Sequence, residues 1–185
     1  GRRTYRFFES GMDERAKARR MLELELRRAI NDGGLEVYYQ PVVNIGNGSI
    51  SSCEALLRWR HPERGMISPA EFIPIAEETG LIVALGKWVL KQACATAKTW
   101  PDEIRIAVNV SASQLKASGF AAAVVEALET SSLSANRLEL EISELTLLDD
   151  DKWTLDTLRE IRSMGVRIAL ENFGAGYSSL DYLQR

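Results

Sequence analysis

Ile104-Arg105-Ile106-Ala107-Val108-Asn109-Val110-Ser111 is the stretch that decides the fold. It is a short run rich in apolar, β-branched residues, and it closes on an amide oxygen. Its length and composition predict a β-strand. Three other runs close in the same way. Glu54 opens Glu54-Ala55-Leu56-Leu57-Arg58, Glu141 sits in Arg137–Ser143 (RLELEIS), and Glu171-Asn172 ends Val166-Arg167-Ile168-Ala169-Leu170. Asn109 lies 55 positions after Glu54, Glu141 lies 32 after Asn109, and Glu171 lies 30 after Glu141. The last two intervals are each about one strand–helix repeat. They place oxygen donors at equivalent points on successive strands, and a parallel barrel brings such strand ends together. Hard oxygen ligands converging there suit Mg²⁺ or Mn²⁺. One polar residue at a strand end often only caps the next helix. Four at regular spacing point to a shared task.

Outward from that run, the order after residue 68 is strand–helix alternation. Ser68-Pro69 starts a helix with proline in its first turn and Glu71 three residues after the cap. That helix runs to Gly80, and a second covers 81–99. A strand over 105–110, a helix over 112–129, a strand over 137–142, a helix over 150–164 and a strand over 166–172 follow, with a last helix starting near Ser178. Alternation of this kind means βα units and a mostly parallel sheet. Upstream, 35–43 and 49–59 read as two strands flanking Asn44-Ile45-Gly46-Asn47-Gly48, a hairpin-type connection that makes them antiparallel. Residues 12–30 form a helix with Ala18, Leu22, Leu26, Ala29 and Ile30 on one face and a Glu23–Arg27 pair on the other.

The fold class is therefore α/β: a TIM-like barrel with an antiparallel first strand pair, incomplete at about five of eight strands. With 185 residues and 45% hydrophobic content, the chain holds material for one substantial core. A net charge of −3 excludes a basic nucleic-acid surface, so no nucleic acid polymer is expected as a partner. Cys53 and Cys94 fit no zinc or redox spacing and read as buried thiols, in keeping with a cytoplasmic protein. No secretory leader is recognisable at the start of the sequence, and no apolar stretch approaches the roughly 20 residues of a membrane helix. His61 reads as a loop-surface residue.

Six ordered segments carry a resemblance to a known family: YYQP (38–41), EALLRW (54–59), PAEFIPIAEETGLI (69–82), VNVSASQL (108–115), LELEISE (138–144) and ENFGAGYSSLDYL (171–183). Together they resemble the EAL domain, whose members open the bacterial messenger cyclic di-GMP to the linear dinucleotide pGpG. The likeness spans 20–185. Residues 1–19 are similar to the end of a GGDEF (diguanylate cyclase) domain and its exit helix, which implies a multidomain GGDEF–EAL parent in second-messenger signalling.

The resemblance implies a metal set of Glu54, Asn109, Glu141, Glu171 and Asn172, holding Mg²⁺ or Mn²⁺. It implies that Arg58 clamps a ligand phosphate, that Gln40 meets a guanine edge, that Leu56 packs beneath the ligand and that the loop through Tyr177 links the site to a neighbouring segment or subunit. Read from the residues alone, Arg58 also suits an exposed salt bridge, Gln40 a hairpin cap and Tyr177 simple packing. The chain departs from the family twice. The family has consecutive aspartates where Glu171-Asn172 stand, so one arm is longer and one carboxylate is missing. The family lysine thought to position the attacking water, expected after Tyr182, is absent, which leaves the catalytic residue unassigned. The resemblance thus implies an impaired or inactive phosphodiesterase. Unpaired edges at both ends of an incomplete sheet predict a chain that is poorly folded or self-associates, as a homodimer or by completion from another chain. A non-catalytic cyclic di-GMP-binding or protein-interaction module is the alternative.

Overall fold

The computed structural model describes residues 10–144, 146 and 152–171. Asn172, Tyr177, the helix expected near Ser178 and residues 1–9 of the segment likened to a GGDEF tail lie outside the described residues. Helix α1 (Ser10–Asp32) leads into strands β1 (Leu35–Val43), β2 (Ile50–His61) and β3 (Gly65–Ile67), then helices α2 (Pro69–Thr79) and α3 (Leu81–Ala97). Strand β4 (Arg105–Val110), helices α4 (Ala112–Lys116) and α5 (Phe120–Ser131), strand β5 (Leu138–Ser143), helix α6 (Lys152–Ser163) and strand β6 (Arg167–Glu171) complete the described chain.

One sheet contains every described strand, in the order β1-β2-β4-β5-β6. The first pair is antiparallel, as the hairpin signal predicts, with Gln40 opposite Glu54 and Tyr38 opposite Leu56. Every later step along that path is parallel, with Glu54 opposite Ala107, Asn109 opposite Glu141 and Ser143 opposite Glu171. This is a wall of the expected barrel, and its outermost strands among the described residues are β1 and β6.

Side chains alternate across the wall with period two. Ala55, Ile106, Val108, Val110, Leu138, Leu140 and Ile142 face the helices and pack against Leu90, Val124, Leu158 and Ile161 in the larger core. The opposite face carries Ser52, Glu54, Leu56 and Arg58 of β2, Asn109 of β4, Glu139 and Glu141 of β5, and Glu171 of β6. A second core joins α1 to the hairpin and to α2 and α3 through Leu22, Leu26, Leu35, Trp59, Ile67, Phe72 and Leu85. Trp59 meets Phe72 edge to face at 5.5 Å between centroids.

Four local expectations change. The sequence pattern contains no signal for β3, yet Gly65–Ile67 turns back along the end of β2, with Ile67 opposite Trp59. The helix expected over 112–129 is two helices: Ala117 turns extended at the end of α4, and Gly119, at a left-handed φ of 84°, precedes α5. Ala18 is exposed, and among the described side chains of α1 Leu22 is the first that is buried. His61 is not on the surface: it is 5% exposed, its Nδ1 accepts from the N–H groups of Glu63 and Arg64 at 3.2 Å each, and its Nε2 lies 3.4 Å from Glu25 of α1. Packing of α1 over the β2–β3 turn is what covers it.

Ser68 caps α2 by accepting from Ala70 N–H, and Gly80, at φ 74°, separates α2 from α3. The expected Glu23–Arg27 pair is present at 3.6 Å. Both cysteines are free, and burial pushes the Cys94 thiol up to about 12. Cys53 is only half-buried, so one of the two thiols departs from the buried reading. Among the described residues no helix is long and apolar enough to cross a membrane.

Candidate active site

The oxygen-bearing side chains of the strand ends meet. Asn109 Nδ2 donates to Glu54 Oε1 at 2.7 Å, joining two residues 55 positions apart. Glu141 stands directly opposite Asn109 on the next strand, and Glu171 lies one ladder step beyond, opposite Ser143. Asn109, Glu141 and Glu171 line a cleft of about 320 Å³, together with Leu56, Arg58 and Gln114. Glu54 adjoins it through Asn109. The cleft continues over an apolar floor formed by Ile73, Ile82, Leu85 and Val89.

The electrostatics of this pole are those of crowded carboxylates. Burial, then the charges of Glu54, Glu139 and Glu171, raise Glu141 from an ordinary carboxyl value to about 7. A divalent cation among these groups would remove the repulsion, and the donor set of carboxylate and amide oxygens is the hard set that Mg²⁺ and Mn²⁺ take. Among the described residues, no three His, Cys, Asp or Glu side chains already stand in ligating array. Asn109 commits an N–H of its amide to Glu54, and its amide oxygen is the atom that such a cation would take. In chemistry and placement the residues fit such an ion.

The ligand-side candidates flank this pole. Gln40 faces Glu54 across the β1–β2 ladder and is exposed. Arg58 lies with its guanidinium 5.7 Å from the centre of the Tyr38 ring and donates Nη1–H to its own Leu57 carbonyl at 2.8 Å. Arg60, two positions on, pairs with Glu36 at 2.7 Å. Leu56 and Arg58 both line the cleft, on the face that carries Glu54.

Two residues of consequence are not among the sequence-based candidates. Gln114 is 4% exposed and closes a reciprocal capping box with Ser111 directly after β4. The Ser-x-x-Gln spacing at 111–114 is the sign that could have revealed it. Arg137, also 4% exposed, inserts beneath the turn after α3, where Nη2 reaches the carbonyls of Ala97, Pro101 and Ile104 at 2.8, 3.0 and 2.9 Å.

Fold and site define a class: a parallel-stranded α/β domain whose strand ends gather carboxylate and amide oxygens at one pole of a cleft. Residues 23–185 match the family described as the EAL domain, and the chain belongs to that family. It is 44% identical over 189 residues, covering all of this chain and 28% of the relative, to the bifunctional diguanylate cyclase/cyclic di-GMP phosphodiesterase MucR of Pseudomonas aeruginosa. It is 36% identical to the cyclic di-GMP phosphodiesterase PdeR of Escherichia coli K12, covering all of this chain and 28% of that protein. A solved structure described as the PaMucR phosphodiesterase in complex with c-di-GMP superposes with a TM-score of 0.83 at 43% identity, covering 89% of this chain and 68% of that one. The chain spans less than a third of the length of either curated relative.

Proposed function

We propose that this domain is a metal-dependent phosphodiesterase that opens cyclic di-GMP to linear pGpG in bacterial second-messenger signalling. The observation that carries the reading is the meeting of Glu54 and Asn109 at 2.7 Å, with Glu141 opposite Asn109 and raised to about 7 by burial and then by its acidic neighbours. The names of the relatives, and the c-di-GMP complex of a 43% identical chain, support the substrate.

In this reading Glu54, Asn109 and Glu141 hold one Mg²⁺ or Mn²⁺, and Glu171 with Asn172 completes that shell and recruits a second. Bound there, the ions would lower the pKa of a water and neutralise the phosphoryl oxygens. The chain's own residues orient the substrate. Arg58 presents a forked donor to a phosphate, with the Tyr38 ring beside its guanidinium. Leu56 supplies apolar support and Gln40 meets a guanine edge. Tyr177 belongs to the loop that links this site to a neighbouring segment.

The pair Glu171-Asn172 has one carboxylate where two aspartates serve the family, so the second ion faces less negative charge and turnover is impaired. Residues 1–19 are, on the same reading, the end of a GGDEF domain and its exit helix, and the remainder from 20 is the EAL domain of a multidomain signalling protein. A cytoplasmic placement suits the two free thiols.

A second reading rests on Gln40, Leu56 and Arg58: a receptor that holds cyclic di-GMP without cleaving it. Incubation with cyclic di-GMP and Mn²⁺, read by chromatography of the products, separates the two. Slow, Mn²⁺-dependent appearance of pGpG that vanishes in Glu54→Ala supports the enzyme. Binding without cleavage selects the receptor, and neither binding nor cleavage overturns both.

A further inference from the structure

The chain leaves β4 two residues after Asn109, and one side chain fixes that exit. Ser111 takes an extended cap conformation, and its N–H donates to Gln114 Oε1 at 2.9 Å. Gln114 N–H donates back to Ser111 Oγ at 3.4 Å. The Gln114 side chain is buried over Gly86 of α3, in a notch that only glycine leaves open. A Cβ at position 86 would fall 1.8 Å from Gln114 Nε2 and 2.8 Å from its Cδ. Gly86 and Gln114 line the same cleft as Asn109 and Glu141.

From this geometry we propose that Gln114, seated on Gly86, is a positioning residue for the cation-binding pole. It touches neither ion nor substrate. Val108 and Val110 are held in the core, 1% and 5% exposed, while Asn109 between them is exposed. The parallel ladder to β5 ends at Val110. Beyond it, the Ser111 N–H has no strand to bond, and Gln114 supplies the acceptor. The box thereby sets the direction in which β4 ends, and with it the aim of the Asn109 side chain toward Glu54. The proposal rests on the cation-dependent reading above.

The test uses the protein at its full natural length, with Mn²⁺ alone as the probe, titrated by electron paramagnetic resonance. Thermal unfolding is followed in parallel. Gln114→Leu removes the acceptor, and the Mn²⁺ dissociation constant is expected to rise about tenfold, the scale of outer-shell support at metal sites. Gln114→Glu keeps an acceptor for the Ser111 N–H in a Ser-x-x-Glu box and restores affinity to within about threefold. Gly86→Ala leaves Gln114 in the chain but fills its seat, and reproduces the loss. Wild-type affinity in Gln114→Leu, or equal weakness in Gln114→Leu and Gln114→Glu with both folded, overturns the proposal. If Gln114→Leu does not fold, Gly86→Ala decides alone, and unchanged affinity there counts against the proposal. Wild-type protein that binds no Mn²⁺ removes the functional reading as well, which separates that failure from this one.

Discussion

Asn109 and Glu54, on neighbouring parallel strands, share a 2.7 Å hydrogen bond from amide to carboxylate. The bond holds two oxygen-bearing side chains at the open pole of the sheet, where Glu141 also faces. Its character is easily reversed. Asn109→Asp sets a second carboxylate against Glu54, so the cation-free fold is expected to lose about 1–2 kcal/mol through the lost hydrogen bond and the added repulsion. Mn²⁺ should recover that loss and more. Thermal unfolding with and without Mn²⁺ checks it: a variant whose midpoint is indifferent to the ion would speak against a cation at this position.

Glu141 makes the pole sensitive to pH. Its carboxyl is raised to about 7 in the folded chain, against an ordinary value of 4.5 in the unfolded one. Below pH 4.5 both states hold the proton and the group's favourable contribution is complete. Between 4.5 and 7 the unfolded chain gives up the proton first, so cation-free stability is expected to fall as pH rises through that window. Cation binding needs the ionised form, so Mn²⁺ affinity should weaken by up to tenfold for each pH unit below 7. Denaturant titrations at pH 5 and pH 8 in a chelator, beside Mn²⁺ titrations at pH 6, 7 and 8, measure both slopes. In Glu54→Gln, which removes one of the raising charges, the window should narrow.

Much of this site was legible in the sequence. Short runs closing on Asn109, Glu141 and Glu171 at about one βα interval place the donors on successive strands, because a parallel sheet repeats its geometry at each step. The hairpin loop at 44–48 made β1 and β2 antiparallel. What escaped is what only tertiary packing creates. Three residues of β3 are too few to show a period, and they pair because the turn after His61 delivers them to the free edge of β2 beyond β4. His61 is covered by Glu25, which lies 36 positions earlier and reaches it only once α1 is docked. The break at Gly119 was visible as a glycine, but the apolar pattern on either side masks it. Gln114 and Arg137 are polar residues whose burial depends on partners far away in the chain.

Arg137 gives a stability test independent of the chemistry. Its guanidinium satisfies carbonyls of the α3–β4 connection and pairs with Asp102 at 3.0 Å while its side chain is 5% exposed. Arg137→Met keeps an apolar stem and strands the carbonyls, and should cost roughly 3 kcal/mol of unfolding free energy. Urea titration measures it. A loss below about 1 kcal/mol would mean that water replaces the guanidinium without penalty.

The Glu171-Asn172 pair tests the charge argument for turnover. Restoring two aspartates, by Glu171→Asp with Asn172→Asp, shortens one arm and adds one carboxylate. Cyclic di-GMP hydrolysis should rise by at least about tenfold, equal to about 1.4 kcal/mol of barrier, with the gain in kcat rather than in substrate KM. Equal rates in the two proteins would place the limit on activity elsewhere.

The most direct measurement of the central claim is a Mn²⁺ titration at pH 8 of wild-type protein beside Glu54→Gln, Asn109→Leu and Glu141→Gln. Saturable binding by the wild type, weakened at least tenfold by each substitution while the fold persists, is the predicted result. Wild-type affinity retained in all three variants would show that these strand ends do not share an ion.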